Sequence, residues 1–169
     1  FDGNVYPTVK IEDQVWMTEP LKVKSFRNGE LIQTTDVKRP NISSENNPCY
    51  YWEYKEAFAI YECTYYTWYA ISDKRQIAPE GWHVPSIGEW KTLLNNCEND
   101  SLAFPHVAYG WRCKTGSLIN PSYDTTYWWT SDEYKNFDAY VFAMPIDNSG
   151  LALFTAGKNM AFPVFCVKD

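Results

Sequence analysis

The chain predicts an α+β fold built mainly on antiparallel sheet, and three observations carry that prediction. Candidate strands gather at both ends with candidate helices between them, without the regular alternation of a doubly wound α/β protein. Aromatic residues make up 18% of the chain, with 8 Trp, 13 Tyr and 9 Phe, and wide rings pack well on pleated surfaces. The 169 residues are 45% hydrophobic, enough for one domain with a full core and too little for two comfortable ones. Residues 1–169 are therefore read as a single domain.

Val5, Val9 and Ile11 share one parity, which marks a first strand, and Pro7 pushes it to an edge. Glu12-Asp13 reads as a turn and Gln14 to Met17 as a second strand, giving an opening hairpin. Residues 24–49 are polar and hold Asn28-Gly29, Pro40, Asn46-Asn47 and Pro48, so they read as a long excursion with one short strand at Leu31 to Thr34. Tyr54, Ala57, Phe58, Tyr61, Tyr65, Trp68 and Tyr69 follow at spacings of three and four, which predicts a first amphipathic helix.

Ser86-Ile87-Gly88-Glu89 has the form of a capping box. Ser86 can accept from the third helical amide while Glu89 reaches back to the Ser86 amide. Behind it Ile87, Trp90, Leu93 and Leu94 form an apolar stripe, and Asn95-Asn96 marks the end of a second helix of about three turns. The late strands are Tyr127 to Ser131, Ala139 to Pro145, Leu151 to Ala156 and Phe162 to Val167. Asp147 to Gly150 is a hairpin turn between the second and third of these.

Charge and spacing exclude several functions. Fifteen basic against 21 acidic residues give a net charge of −6, a poor match to nucleic acid or an anionic membrane. No apolar run is long enough to span a bilayer, and no charged-then-apolar signal segment opens the chain, so it is expected to be either cytoplasmic or already trimmed. Cysteines at 49, 63, 97, 113 and 166 show no C-x-x-C spacing. Their odd number leaves at least one thiol over, and any pairing among the others stays open. His83 and His106 are too few and too distant for a histidine metal site. No nucleophile elbow and no phosphate loop occurs. Neither a cofactor nor a metal is expected. His83 is expected to bond backbone beside the helix cap, since a general base would need an orienting partner.

Several segments resemble one family. Asp2-Gly3-Asn4-Val5-Tyr6, Thr8-Val9-Lys10-Ile11 and Gln14-Val15-Trp16-Met17 resemble the opening of the Fibrobacter succinogenes major paralogous domain. Thr67-Trp68-Tyr69-Ala70 resembles its NWYA segment, and Gly81-Trp82-His83-Val84-Pro85-Ser86 with Glu89-Trp90 its GWHVPS-x-x-EW signature. Trp129-Thr130-Ser131 and Cys166-Val167-Lys168-Asp169 resemble its late strand and its ending. Two departures stand out: Ala78 where the family commonly has Cys, and Phe165 where it commonly has Arg before the last Cys. If the two family cysteines pair, Cys166 has lost its usual partner here.

The resemblance implies a C-type-lectin-like fold, similar to the sulfatase-modifying branch, with N- and C-terminal strands paired in one sheet, two helices and long loops. It also implies a secreted or surface-anchored bacterial protein. The Glu-Pro-Asn loop and Trp-Asn-Asp triplet of calcium-dependent lectins are missing, since Glu19-Pro20 is followed by Leu21. Binding without metal remains. Late rings interleave with Asn, Ser and Thr, a mixture that suits sugar faces and protein epitopes alike. The candidate ligand-binding residues are Trp111, Tyr123, Tyr127, Trp128, Tyr134 and Tyr140. The expected function is a non-enzymatic adhesion or binding domain for glycan or a surface protein, acting as a monomer or as one module of a larger protein. A hypervariable receptor domain diversified by a retroelement is the alternative, and an enzyme of the sulfatase-modifying type the third reading.

Overall fold

The protein is described by a computed structural model covering residues 2–37, 39–54, 62–97, 110–119, 125–145 and 152–169. Among these residues the fold is α+β and mostly antiparallel sheet, with two helices. The opening hairpin forms as expected: β1 (Thr8–Ile11) pairs with β2 (Gln14–Met17) across Glu12-Asp13, and Glu12 takes a positive φ of 50°. β3 (Tyr51–Tyr54) and β4 (Cys63–Thr67) pair antiparallel, and β4 leads into the single-turn helix α1 (Trp68–Ile71). A short β5 (Trp82–His83) precedes α2 (Ile87–Cys97). Then come β6 (Trp111–Arg112), β7 (Leu118–Ile119), β8 (Thr125–Lys135), β9 (Asp138–Pro145), β10 (Ala152–Gly157), β11 (Ala161–Phe162) and β12 (Val167–Lys168). They form three sheets, ordered β1-β2-β12-β5, β10-β9-β8 and β3-β4-β11-β6-β7.

Two aromatic cores explain the composition. Successive residues of β4 face opposite cores: Tyr65 joins Trp16, Trp90 and Trp128, while Tyr66 joins Phe26, Trp68 and Trp129. β8 does the same, sending Trp128 to one core and Trp129 to the other. Three buried polar tips find partners. Tyr66 donates to the Val23 carbonyl at 2.7 Å, Trp129 to the Tyr66 carbonyl at 2.8 Å, and Trp68 to the Thr130 carbonyl at 3.2 Å. At these three positions a wide ring fills the interior while its polar tip finds a partner; the Trp52 Nε1 donor is buried without a hydrogen-bond partner among the described residues.

Double burial also corrects the first-helix expectation. Tyr54 ends a strand, Tyr65 lies inside β4, and only Trp68–Ile71 is helical; Ala57, Phe58 and Tyr61 lie outside the described residues. All five residues of β4 are buried. A strand covered on both faces loses its alternation, so its rings fall by chance at helical spacing. The short strand expected at Leu31 to Thr34 reduces to two isolated bridges, Ser25 with Leu31 and Gln33 with Tyr50.

The last strand is likewise two strands. Pro163 lacks the N–H that an unbroken ladder needs, and the chain leaves the five-stranded sheet at Phe162 to rejoin the four-stranded one at Val167. Between them the Val164 and Cys166 carbonyls accept from Leu21 and Met17. The expected pairing of first and last strands is corrected too. β12 lies between β2 and β5, and β1 is the edge. Val9, Trp16 and Val167 nonetheless form one row across the sheet, under α2. Strands Tyr127 to Ser131, Ala139 to Pro145 and Leu151 to Ala156 appear as β8, β9 and β10 with shifted ends. The expected turn at Asp147 to Gly150 lies outside the described residues.

Long loops are tied by backbone contacts. Arg27 donates to the carbonyls of Ala78, Pro79 and Trp82, clamping the approach to β5. Gly116, at φ +86°, lies against the backbone of Arg39 and Pro40, where the 39–42 and 113–117 loops cross.

Candidate functional site

The capping box is present at the start of α2. Glu89 N donates to Ser86 Oγ at 3.3 Å, and Ser86 N to Glu89 Oε2 at 2.8 Å. Asp132 of β8 adds a bond from the Ile87 amide at 2.6 Å. His83 departs from expectation: its ring bonds two carboxylates, not backbone. Nε2 lies 2.6 Å from Glu89 Oε1 and Nδ1 lies 2.6 Å from Asp169 Oδ1. Ser86 Oγ donates to Glu89 at 2.7 Å, so the Ser86 hydroxyl is directed at the carboxylate and not at the imidazole. The cluster braces β5, α2 and the residue after β12.

Burial opposes the imidazolium, but hydrogen bonds to Asp169 and Glu89 outweigh it and raise the His83 pKa above 6.5. A raised folded pKa stabilises fully below the unfolded value and is lost as pH rises through the folded value. Wild type should therefore exceed His83→Gln in melting temperature at pH 5.5, with the gap closing by pH 8.5. The side chain is 41% exposed, so solvent screening holds the effect to roughly 0.5 kcal/mol. A gap that is the same at both pH values would refute the charged clamp.

Three of the described thiols offer little chemistry, whereas at Cys113 burial is outweighed by hydrogen bonds with Thr115 and Ser117 that lower its pKa. Cys49, Cys63, Cys113 and Cys166 are all free, and the Cys97 side chain lies outside the described residues. Burial pushes the Cys63 and Cys166 thiols far up and the Cys49 thiol up to about 11. Such thiols stay protonated and unreactive. Cys166 and Ala78 lie in the same core. Among the described residues no group of His, Cys, Asp and Glu could hold a metal ion, and no helix is long and apolar enough to cross a membrane.

The six candidate ligand residues separate into different places. Trp128 is a correction: it is 0% exposed, stacked on Trp90 with centroids 5.3 Å apart and planes 7° apart. No ligand can reach it in this fold. Trp111 and Tyr127 are partly buried, both against Phe162 at 5.7 and 6.2 Å. Tyr123 lies outside the described residues. Tyr134 and Tyr140 do come together, edge to face at 5.2 Å.

Their place is the far end of the β8–β9 hairpin. Up to Trp129–Val141 the two strands pair in one register; beyond it the register shifts twice, between Trp129 and Glu133 and between Glu133 and Lys135. The extra residues of β8 turn toward the start of α2. Ser131 N donates to the Pro85 carbonyl at 2.9 Å, and Asp132 meets the Ile87 amide. A bulge bends its strand and re-aims the side chains beyond it. Past the bulge Tyr134 is 43% exposed, and Phe137, in the two-residue turn, is 77% exposed.

Lys158 anchors this tip from beneath. Its buried ammonium donates to Glu133 Oε1 and, at 3.0 Å, to the Asn136 carbonyl, and it sits 4.6 Å from the Trp68 ring centroid. Its amide donates to the Phe137 carbonyl at 2.9 Å. The hairpin end is thus a held platform: Tyr134, Tyr140 and Phe137 as rings, with Lys135 over the Tyr134 ring at 4.8 Å.

Phe137 and Lys158 are the residues that sequence reasoning missed. Phe137 carried a signal, an apolar ring among Lys135, Asn136 and Asp138. Nothing local marks Lys158, whose partners lie more than twenty residues upstream.

Comparison with known proteins supports the family on the earlier part of the chain. The model of the Fibrobacter succinogenes major domain matches residues 9–118 and ends before β8. No curated protein and no solved structure matches the chain. A match over more than half of the 169 residues is sufficient to place it: the chain belongs to the Fibrobacter succinogenes major domain family.

Proposed function

We propose that this chain is a non-enzymatic binding domain of a secreted or surface-held protein, C-type-lectin-like in architecture, that takes glycan at the far end of the β8–β9 hairpin. The observation that carries the reading is the paired Tyr134 and Tyr140 beside the exposed Phe137, fixed on an anchored tip. Flat rings stack on sugar faces, while Lys135, Asn136 and Thr155 offer polar groups around them; Thr155 is the β10 neighbour of Tyr140. A tip already held in place loses little freedom on binding.

A glycan array with the wild-type chain, followed by titration calorimetry on its best hit, tests this reading. Tyr134→Ala and Phe137→Ala should each weaken binding by roughly 2 kcal/mol, about 30-fold, as central aromatic contacts commonly do. Their melting temperatures should stay at the wild-type value, because both rings are solvent-facing. Undiminished binding in both variants would move the site elsewhere. A chain that ignores every glycan and instead captures a surface protein through the same rings would overturn the ligand class.

A further inference from the structure

We propose that residues 2–5 form a lid, latched by the Asp2 carboxylate and hinged at Tyr6-Pro7, whose lifting joins two cavities into one cleft. Asp2 and Asn4 line both cavities. On one side a cavity of about 240 Å³ is walled by Met17, Val23, Pro79 and Trp82. On the other a cavity of about 300 Å³ is walled by Lys24, Glu53, Glu62 and Thr64. The lid is the partition between them.

One carboxylate does most of the fastening. Residues 2–5 are all exposed, Val5 to 90%, so no apolar burial holds the lid down. Among the described residues no main-chain hydrogen bond ties it to the body. Asp2 Oδ2 accepts from the Lys24 amide at 2.7 Å and the Ser25 amide at 3.2 Å, and Oδ1 accepts from Ser25 Oγ. Bonds to an ionised carboxylate are the stronger kind. The Asn4 side chain adds one long contact, donating to the Lys22 carbonyl at 3.4 Å.

Hinge and seat are fixed independently of the latch. Tyr6 packs against the core, and its hydroxyl accepts from the Lys22 amide at 2.9 Å. The Pro7 carbonyl accepts from the Thr18 amide at 2.9 Å, where main-chain attachment begins. The seat of the latch, Lys24-Ser25, lies between the buried Leu21 and Phe26. Leu21 N donates to the Val164 carbonyl at 2.7 Å and Phe26 N to the Glu30 carbonyl at 2.8 Å. Releasing Asp2 therefore frees the lid and leaves the seat in place. A segment with few ties and no buried apolar surface opens locally, without global unfolding.

The open cleft runs from the Trp82 ring to the ion pair of Lys24 and Glu53. Lid position thus decides whether a ligand larger than either cavity can enter. None of these residues belongs to the β8–β9 tip, so the device stands or falls apart from the glycan reading.

Amide hydrogen exchange on the unaltered chain tests the latch. The Lys24 and Ser25 amides, whose acceptor is the lid, should exchange together through one opening, about tenfold or more faster than the Lys22, Leu21 and Phe26 amides. Asp2→Ala should drop the Gly3, Asn4 and Val5 amides into the flexible range of NMR order parameters, while Leu21 and Phe26 stay rigid and the melting temperature holds. In that variant a soluble nitroxide should broaden the methyl signal of Thr64, which is 4% exposed with the lid closed. Asp2→Asn, which keeps an acceptor oxygen and loses the charge, should fall between. Lys24 and Ser25 amides that exchange as slowly as Leu21 and Phe26 in the unaltered chain would overturn the proposal, whatever the variants do. So would a Gly3–Val5 segment that stays ordered in Asp2→Ala, or a Thr64 methyl that the nitroxide does not reach.

Discussion

Replacing Trp128 with alanine should lower stability by about 3–5 kcal/mol, as truncation of a buried Trp does. The ring has no exposed surface, lies parallel to Trp90, and meets Phe165 edge-on at 5.5 Å. Trp90 in turn touches Trp16 at 4.9 Å and Phe142 at 5.5 Å. Removing Trp128 therefore opens a cavity in the middle of a five-ring cluster that joins α2 to the β1–β2 hairpin and to β8–β9. Neighbours that are themselves rigid rings collapse poorly into such a gap. In a domain of this size the loss corresponds to a fall in melting temperature of about 10 °C. Urea denaturation measures it directly. A variant that keeps wild-type stability and loses only ligand binding would return Trp128 to the surface.

The gap between sequence and structure at Trp128 has a physical cause. Period-two alternation separates the sides of a strand, and it correctly sends Trp128 and Trp129 apart. It does not say that the second side is also covered. Here α2 covers it, with Trp90 seated on Trp128, and the capping box that starts α2 was legible while the docking of its stripe was not. The same ignorance of double burial turned β4 into a helix on paper. Elements defined by local chemistry came out well: the Glu12-Asp13 hairpin, the Ser86–Glu89 box, the strands β8 to β10. Features defined by distant chain did not. Pro163 splitting the last strand could be read from its missing N–H, but the exchange between sheets depends on what β2 and β4 leave unpaired. Tyr134 and Tyr140 were named as candidates from polar surroundings, whereas the bulge that bends β8 before Tyr134 depends on Ser131 and Asp132 meeting the start of α2.

Gly116→Ala should be among the most damaging small substitutions in the chain, at about 3 kcal/mol. Two costs combine. The residue holds φ at +86°, a region where a non-glycine residue costs on the order of 1–2 kcal/mol. An added Cβ would also lie 2.4 Å from the Arg39 carbonyl carbon and 2.6 Å from the Pro40 carbonyl oxygen. Those are backbone atoms, not the movable end of a side chain, so relief requires one loop to shift, and overpacking of that kind costs roughly 1–3 kcal/mol. The loops are fastened close by. Ile42 N donates to the Lys114 carbonyl at 3.0 Å, Gly116 N to the Cys113 carbonyl at 2.9 Å, and Arg112 to the Gly116 carbonyl at 2.6 Å. Ile42 is buried in the core of Trp52, Tyr65 and Leu93, so a loop displaced to admit the methyl would draw an apolar anchor with it. Gly29 separates the two costs: it has φ +89° and no atom within 4 Å of an added Cβ. Gly29→Ala should lose only the conformational part, about 1 kcal/mol. Equal losses at the two glycines, measured by thermal melting, would show that the loop crossing yields freely and that only backbone strain is at work.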